Sequence, residues 1–385
     1  MTGTTNYIYY DGLIRTYMSI VDSRRLGVAL TPERLFGGLL LLLFAGLFVD
    51  LIRRLVVGDL AVGTLTTFLW NGLVDGLIIG LAAIGLSMTY SILRFANFSH
   101  GDLVTTGAFS GWTAAYLVGG IGIAELSSRI LLRADGGAAP GEMNMQILAE
   151  PIAIVVGLLT AAVVTVIVAL SIDKLVYRRM RQAGGIALLI ASVGVALALR
   201  YLIAFVYTSS TRGVTASAPR YEASWIVWTD SVNLHQATMV VSALALMLGV
   251  HLMLQYTKLG TAMRAMADNR DLALITGIPT ERVVWATWVI GAGLAGVAGY
   301  LVVLDRGSIT YNLGWFLLLL IFAAVILGGI GSIYGAIVGG LVIGLATNVS
   351  LVWIPSDLNE VAAFGLMIAV LIFRPQGLFG GVETA

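Results

Sequence analysis

Ten apolar stretches recur along this chain, most of them about as long as a bilayer is thick. They lie at about 35–52, 66–90, 103–124, 152–172, 186–207, 237–256, 284–304, 315–330, 335–347 and 360–373. A helix needs roughly 20 predominantly apolar residues to cross the hydrocarbon core. The chain therefore reads as all-α, a polytopic transmembrane helical bundle of about 8–10 spans. The last three stretches are short, and the pair at 315–347 can equally form one broken or re-entrant hairpin. Of the 385 residues, 58% are apolar and 11% charged, against roughly 25% charged in a soluble domain. That balance excludes an ordinary soluble globule, a disordered chain and a nucleic-acid binder. The 46 glycines follow no Gly-x-y repeat, which suits closely packed transmembrane helices.

Residues 1–34 are mixed and polar. The first apolar run is bounded by Arg34 and by Arg53-Arg54, and it lacks a small-residue cleavage site. It reads as a spanning helix rather than a signal peptide. Orientation follows from Lys and Arg in short loops. Loop 173–183 carries Lys174, Arg178, Arg179 and Arg181, and loop 257–283 carries Lys258, Arg264, Arg270 and Arg282. Both loops are assigned to the cytoplasm. Counting crossings outward puts the N-terminus and the C-terminus there as well, with Arg374 agreeing and Arg53-Arg54 left outside. Residues 1–65 are thus expected to form an N-terminal cytoplasmic segment plus one extra transmembrane helix, 66–378 the transmembrane domain and 379–385 a cytoplasmic tail.

Chemistry is sparse. With no cysteine, disulfides, zinc–thiolate sites and cysteine nucleophiles are excluded. The two lysines, Lys174 and Lys258, fit no G-x-x-x-x-G-K-[ST], whose lysine must reach the β- and γ-phosphates. The chain is not its own P-loop ATPase. Gly291 to Gly296 matches G-x-G-x-x-G inside an apolar helix with no preceding strand, so it reads as helix packing. His100, His235 and His251 are scattered and form no H-E-x-x-H. No catalytic centre and no metal site is expected. Arg200, near a helix end, is expected to snorkel to the interface, and His251 to be a packing histidine.

Three stretches carry information. Residues 261–275 are good helix formers, closed by Gly277 as a C-cap and stopped by Pro279. Apolar Met263, Met266, Ala267 and Ile275 recur near helical spacing among charges. Such an amphipathic helix either docks in another protein's groove or lies on lipid. Residues 94–109 interrupt the apolar pattern with Asn97, Ser99, His100 and Asp102. They either line a pathway at membrane depth or form a plain cytoplasmic turn capped by Asn97 or Ser99. Around residues 327–344, Gly331, Gly335 and Gly339 repeat every four residues and Gly340 and Gly344 add a neighbouring pair; Gly72, Gly76 and Gly80 repeat in the same way upstream. Small-xxx-small spacing lets helix backbones touch. Paired glycine-interrupted segments in two halves of a chain also point to a transporter's midplane pathway. Asp75, inside a long apolar span, either lines a path or bonds a neighbouring helix.

Four motifs in one order resemble a known family. Asn97-Phe98-Ser99-His100-Gly101-Asp102, Ile190-Ala191-Ser192-Val193-Gly194-Val195, Arg264 to Asn269 with Gly277-Ile278, and Leu327 to Ala336 are similar to motifs of the permease subunits of branched-chain amino acid ABC transporters. The resemblance covers about residues 68–378. It implies a permease without enzymatic activity of its own, in the plasma or inner membrane. Its expected partners are a second homologous permease subunit, cytoplasmic P-loop ATPase subunits that hold ATP and Mg, an extracytoplasmic substrate-binding protein and the lipid bilayer; no cofactor is expected in this chain. Translocation would pass Asp75, Asn97, Phe98, Ser99, His100, Asp102, Gly329, Gly331, Ser332 and Gly335. Gly260, Arg264, Ala265, Ala267, Asp268, Asn269 and Gly277 would couple to the ATPase, although the segment from Ala265 is a degenerate form of the importers' Glu-Ala-Ala loop, so only its position carries over. The roughly 65 residues before the family core are a departure. Branched-chain or other neutral amino acids are the implied cargo; urea or short amides are the family alternative, and an ion-coupled carrier using Asp75 and Asp102 is the alternative outside it.

Overall fold

The computed structural model describes residues 32–121, 145–214, 220–221 and 232–380. The chain divides into two units, residues 1–57 and 58–385. In the first, α1 runs Pro32–Val57. Arg53 and Arg54 both bind Asp50, at 2.9 and 2.7 Å, one turn back on the same helix.

The second unit is helical. Its elements are α2 (Val62–Leu93), α3 (His100–Gly119), α4 (Pro151–Ile172, continued through a π-turn at Asp173–Tyr177 and a last turn at Arg178–Met180) and α5 (Gly185–Tyr207). There follow α6 (Leu234–Tyr256), α7 (Lys258–Asp268), α8 (Arg270–Ile275), α9 (Thr280–Arg306), α10 (Leu313–Gly328), α11 (Ile333–Val349) and α12 (Asn359–Phe373). Four two-residue strands pair in the connections: β1 (Arg212–Gly213) with β4 (Ser308–Ile309), and β2 (Arg220–Tyr221) with β3 (Val232–Asn233), both antiparallel.

Among the described residues seven helical spans are long and apolar enough to cross a membrane: α2, α4, α5, α6, α9, α11 extended by a 3-10 turn to Val352, and α12 preceded by a 3-10 turn from Ser356. The other three expected stretches coincide with α1, α3 and α10. At 16 residues, α10 is about 24 Å long, short of a roughly 30 Å hydrocarbon core. It pairs with α11 as a hairpin. Gly329 and Gly331, at φ +106° and +90°, make the turn a chain with Cβ atoms there would resist. Ser332 then caps α11 by accepting from Gly335 N at 3.0 Å.

Burial separates the core helices from the periphery. The apolar windows of α2 and α9 are each 83% buried, that of α12 only 11%. Glycine stripes set the spacing. Those at 72, 76 and 80 on α2 meet those at 340 and 344 on α11, where a Cβ on Gly76 would sit 2.8 Å from Leu341 Cα. The repeat at 331, 335 and 339 does not join this contact: Gly335 and Gly339 pack on Gly328 and Ala324 of α10. The G-x-G-x-x-G run is packing too: Gly291 lies on Gly85 and Gly296 on Gly107. The residues after α12 close over the end of α10, with Leu378 N on Leu327 O at 2.8 Å and Phe379 N on Gly328 O at 2.9 Å. They satisfy carbonyls that a helix end leaves open.

One helix expected over 261–275 is two. Asn269 takes an extended conformation, and its side chain accepts from Leu272 N at 3.0 Å, ending α7 and capping α8. Asparagine bonds its local backbone readily, which favours breaks over helix interiors. Gly277 closes α8 as expected. At φ +85° it donates to Leu274 O while Ile278 N reaches Ala273 O, at 3.1 and 3.0 Å, the bond pair of a Schellman cap.

Candidate functional site: a buried polar turn and the helix pair beside it

Residues 94–99 are not a surface turn. His100 Nε2 lies 2.9 Å from Ala82 O, yet α2 runs on to Leu93, eleven residues or about 16 Å further. From the end of α2 the chain thus comes back into the bundle without helical bonds before α3 begins. Asn97, Ser99, His100 and Asp102 are all buried. Backbone of this kind is tolerated at depth only when other groups serve it. Ser192 of α5 accepts from Phe98 N at 3.0 Å. Asn97 Oδ1 accepts from Ser99 N at 3.1 Å, from Ser99 Oγ at 2.7 Å and from Tyr177 OH at 3.3 Å. Neither Asn97 nor Ser99 caps α3 by its side chain in the ordinary way. Asn97 folds the turn instead.

Tyr177 comes from the π-turn of α4, which carries its ring onto Trp288 of α9, stacked at 5.5 Å with planes 2° apart. π-Turns often mark functional positions. Phe98 faces Phe322 of α10 at 5.0 Å. The Nδ2 of Asn97 is buried and has no partner among the described residues, an unused donor inside the bundle.

Arg200 does not snorkel. Its Nε and Nη2 donate to Asp102 Oδ1 and Oδ2 at 3.1 and 3.0 Å, and its guanidinium lies 4.4 Å from the Trp315 ring centre. An unpaired Asp102 at this depth would be costly, and a facing guanidinium neutralises it in bidentate geometry. Asp75 lies elsewhere, about 27 Å back along α2 from Leu93. Asn348 Nδ2 donates to it at 2.9 Å, and it lines a cleft of about 100 Å³ with Arg306 and Glu360. It therefore both bonds a neighbouring helix and faces a cavity, one that none of residues 97–102 lines.

The helix pair α7–α8 sits at the end of α2. Gly260 packs so closely on α6 that a Cβ would lie 2.5 Å from Leu254 Cα, which fixes the sharp turn between the two helices. Met263 and Met266 are buried, while Leu272, Leu274 and Ile275 of α8 are exposed beside Arg270 and Asp271. Asp268 and Gly277 are exposed as well, and Ala265 and Ala267 half-buried. Arg94, in the left-handed conformation at φ +58°, donates to Ala267 O and ties the start of the buried turn to α7. Arg264 Nη1 reaches Gln255 Oε1 at 3.4 Å, Gln255 Nε2 donates to Tyr334 OH at 3.0 Å, and His251 Nδ1 lies 2.8 Å from the same hydroxyl. Tyr334 stands two residues after Ser332 in the glycine hairpin. Gly331, Arg264, Ala267 and Asp268 line one cleft of about 70 Å³. Gly329 and Gly335 pack on backbone, of residues 379–380 and of Gly328 respectively. Among the described residues no group of three or more His, Cys, Asp or Glu is placed to hold a metal ion.

Sequence reasoning missed Tyr177, Ser192, Trp288 and Trp315, and misplaced Arg200. Ser192 stood inside a quoted motif, and Arg200 was the one cation in its apolar stretch; both were visible signals without a visible partner.

Residues 68–371 match the family model described as the permease component of the branched-chain amino acid transport system. The chain belongs to that permease family. It is 30% identical over 321 residues to the high-affinity branched-chain amino acid permease LivH of Salmonella typhimurium, covering 82% of this chain and 96% of LivH. To BraD of Pseudomonas aeruginosa, another high-affinity branched-chain amino acid permease, it is 29% identical over 319 residues, covering 82% and 95%. The permease LivM of Escherichia coli matches over 128 residues at 30% identity, 31% of this chain and 28% of LivM. No solved structure matches the chain. This family member is a transport permease and a multi-pass protein of the cell membrane. The family match begins after α1, so α1 lies before the shared core.

Proposed function

We propose that the chain is the translocating subunit of an ATP-driven importer for branched-chain or other neutral amino acids. One observation carries the reading: α7 holds both of the interrupted segments that sequence reasoning singled out. Arg94 joins it to the buried turn at Asn97, and Arg264 joins it through Gln255 and Tyr334 to the glycine hairpin. A displacement of α7–α8 therefore reaches both segments together. The exposed Leu272, Leu274 and Ile275 give a separate ATPase subunit an apolar handle. ATP binding and hydrolysis, with Mg, belong to that subunit. A second homologous permease subunit completes the membrane channel, and an extracytoplasmic binding protein delivers substrate. Residues 94–102 and the glycine hairpin then line the transient pathway. The ion-coupled alternative is disfavoured because one of its two carboxylates, Asp102, is already neutralised by Arg200.

The test is co-purification in mild detergent from the native membrane, followed by uptake of labelled leucine into vesicles. Recovery of a P-loop ATPase and a second permease, with uptake that needs ATP and the binding protein, supports the reading. Uptake of leucine by the chain alone, without ATP, overturns it. Urea displacing leucine from the binding protein would move the substrate class and leave the mechanism intact.

A further inference from the structure

Where α4 ends and α9 begins, Lys174, Arg178, Arg181 and Arg282 line an open cleft of about 360 Å³, shared with Asp173 and Glu281. Arg181 organises it. Its Nη2 binds Asp173 Oδ2 at 2.8 Å and its Nη1 binds Glu281 Oε1 at 2.7 Å. Arg178 Nε stands 3.6 Å from Glu281. The Arg181 side chain is 10% exposed, and its Nε is buried with no partner among the described residues. Neither Lys174 nor Arg282 makes an ion pair among the described residues. Four cations thus face two carboxylates, which leaves an excess of positive charge and an unused guanidinium donor.

The surroundings are apolar. Trp285 lines the cleft and is 57% exposed. Along α4, Val155, Leu159, Val163 and Ile167 are exposed at every fourth residue, and Leu175 follows near the cations. That stripe lies on a helix long and apolar enough to cross a membrane, and tryptophan is at home at headgroup depth.

We propose that this cleft binds the phosphodiester headgroup of an anionic phospholipid, with the acyl chains lying along the α4 stripe. Arginine forks match phosphate oxygens, and basic pockets at helix ends hold anionic headgroups. Continuity with the stripe and the exposed Trp285 commit the site to a lipid rather than to free phosphate, which needs neither. The proposal does not depend on what the permease carries.

The test is native mass spectrometry of the delipidated full-length chain with dioleoyl phosphatidylglycerol or dioleoyl phosphatidylcholine. Wild type is expected to keep one phosphatidylglycerol under conditions that strip phosphatidylcholine. The triple variant K174Q/R178Q/R282Q changes only exposed side chains and should lose it, weakening about fivefold for each charge removed. Size-exclusion profiles of the two proteins should coincide. R374Q, an exposed arginine outside the cleft, should bind like wild type. Equal retention by the triple variant, or equal retention of both lipids, overturns the proposal. So does displacement of the lipid by inorganic phosphate alone, which would make the cleft a soluble-anion site.

Discussion

Arg200 and Asp102 meet across α5 and α3 in a bidentate pair with no exposure on the Asp102 side. Removing one partner leaves a buried charge, and such losses run to about 3–5 kcal/mol. R200M is therefore expected to lower the thermal midpoint in detergent markedly. Replacing both, as in R200M/D102L, removes the stranded charge and should recover most of the loss. A double variant as unstable as R200M would mean that shape, not charge, governs the contact.

A second ordering of effects follows from the buried turn. S192A strands the part-buried amide of Phe98, and a donor left without its partner costs about 1–3 kcal/mol when buried. Y177F removes a hydroxyl, but Asn97 Oδ1 keeps Ser99 and the ring keeps Trp288; its cost should be about 1 kcal/mol or less. Thermal unfolding of the two variants should rank S192A as the more damaged. The reverse ranking would show that the π-turn, and not the Ser192 bond, holds the turn in place.

These two predictions also mark where the sequence stopped being readable. Every apolar stretch named a helix, because length and hydropathy are local. Gly277 was legible as a cap because a left-handed C-terminus asks for glycine. The α2–α11 glycine contact was half legible: Gly72, Gly76 and Gly80, and the pair Gly340 and Gly344, each showed a face for close approach but not which helix would come. Arg200 was misread because a cation near a helix end commonly snorkels, and its partner lies 98 residues away. The break at Asn269 was hidden inside good helix formers, where one side-chain bond to the backbone outweighs propensity. The depth of residues 94–99 depended on His100 reaching Ala82 O, a contact no periodicity announces.

Glycine contacts predict a sharp contrast between neighbouring substitutions. A Cβ on Gly107 would overlap the backbone of Gly296, whereas Gly194 has open space around its Cβ position. G107V should separate α3 from α9, with overpacking costs of roughly 3 kcal/mol or more, and folded protein should fall steeply in fluorescence-detected size exclusion. G194A should accumulate like wild type, since alanine also favours helix over glycine by about 1 kcal/mol. Similar yields from both would mean that α3 and α9 do not pack as closely as described.

The helix pair predicts a separation of binding from transmission. Leu272 and Ile275 are exposed and touch little of the bundle, so L272D/I275D should leave the permease folded while abolishing ATPase capture in co-purification and, with it, uptake. Arg264 is different. It is half-buried and faces inward to Gln255, which holds Tyr334 of the hairpin. R264A should still capture the ATPase, because the exposed face of α8 is untouched, and ATP should still be hydrolysed. Leucine uptake should nevertheless fall by about tenfold or more, a loss of only about 1.4 kcal/mol in the coupling of the two segments. The measurement is the ratio of leucine taken up to ATP hydrolysed in the same vesicles. A fall in that ratio for R264A alone identifies Arg264 as a transmitting contact. Loss of ATPase capture by R264A would place it in the docking surface, and an unchanged ratio would remove the Arg264–Gln255–Tyr334 path from the mechanism.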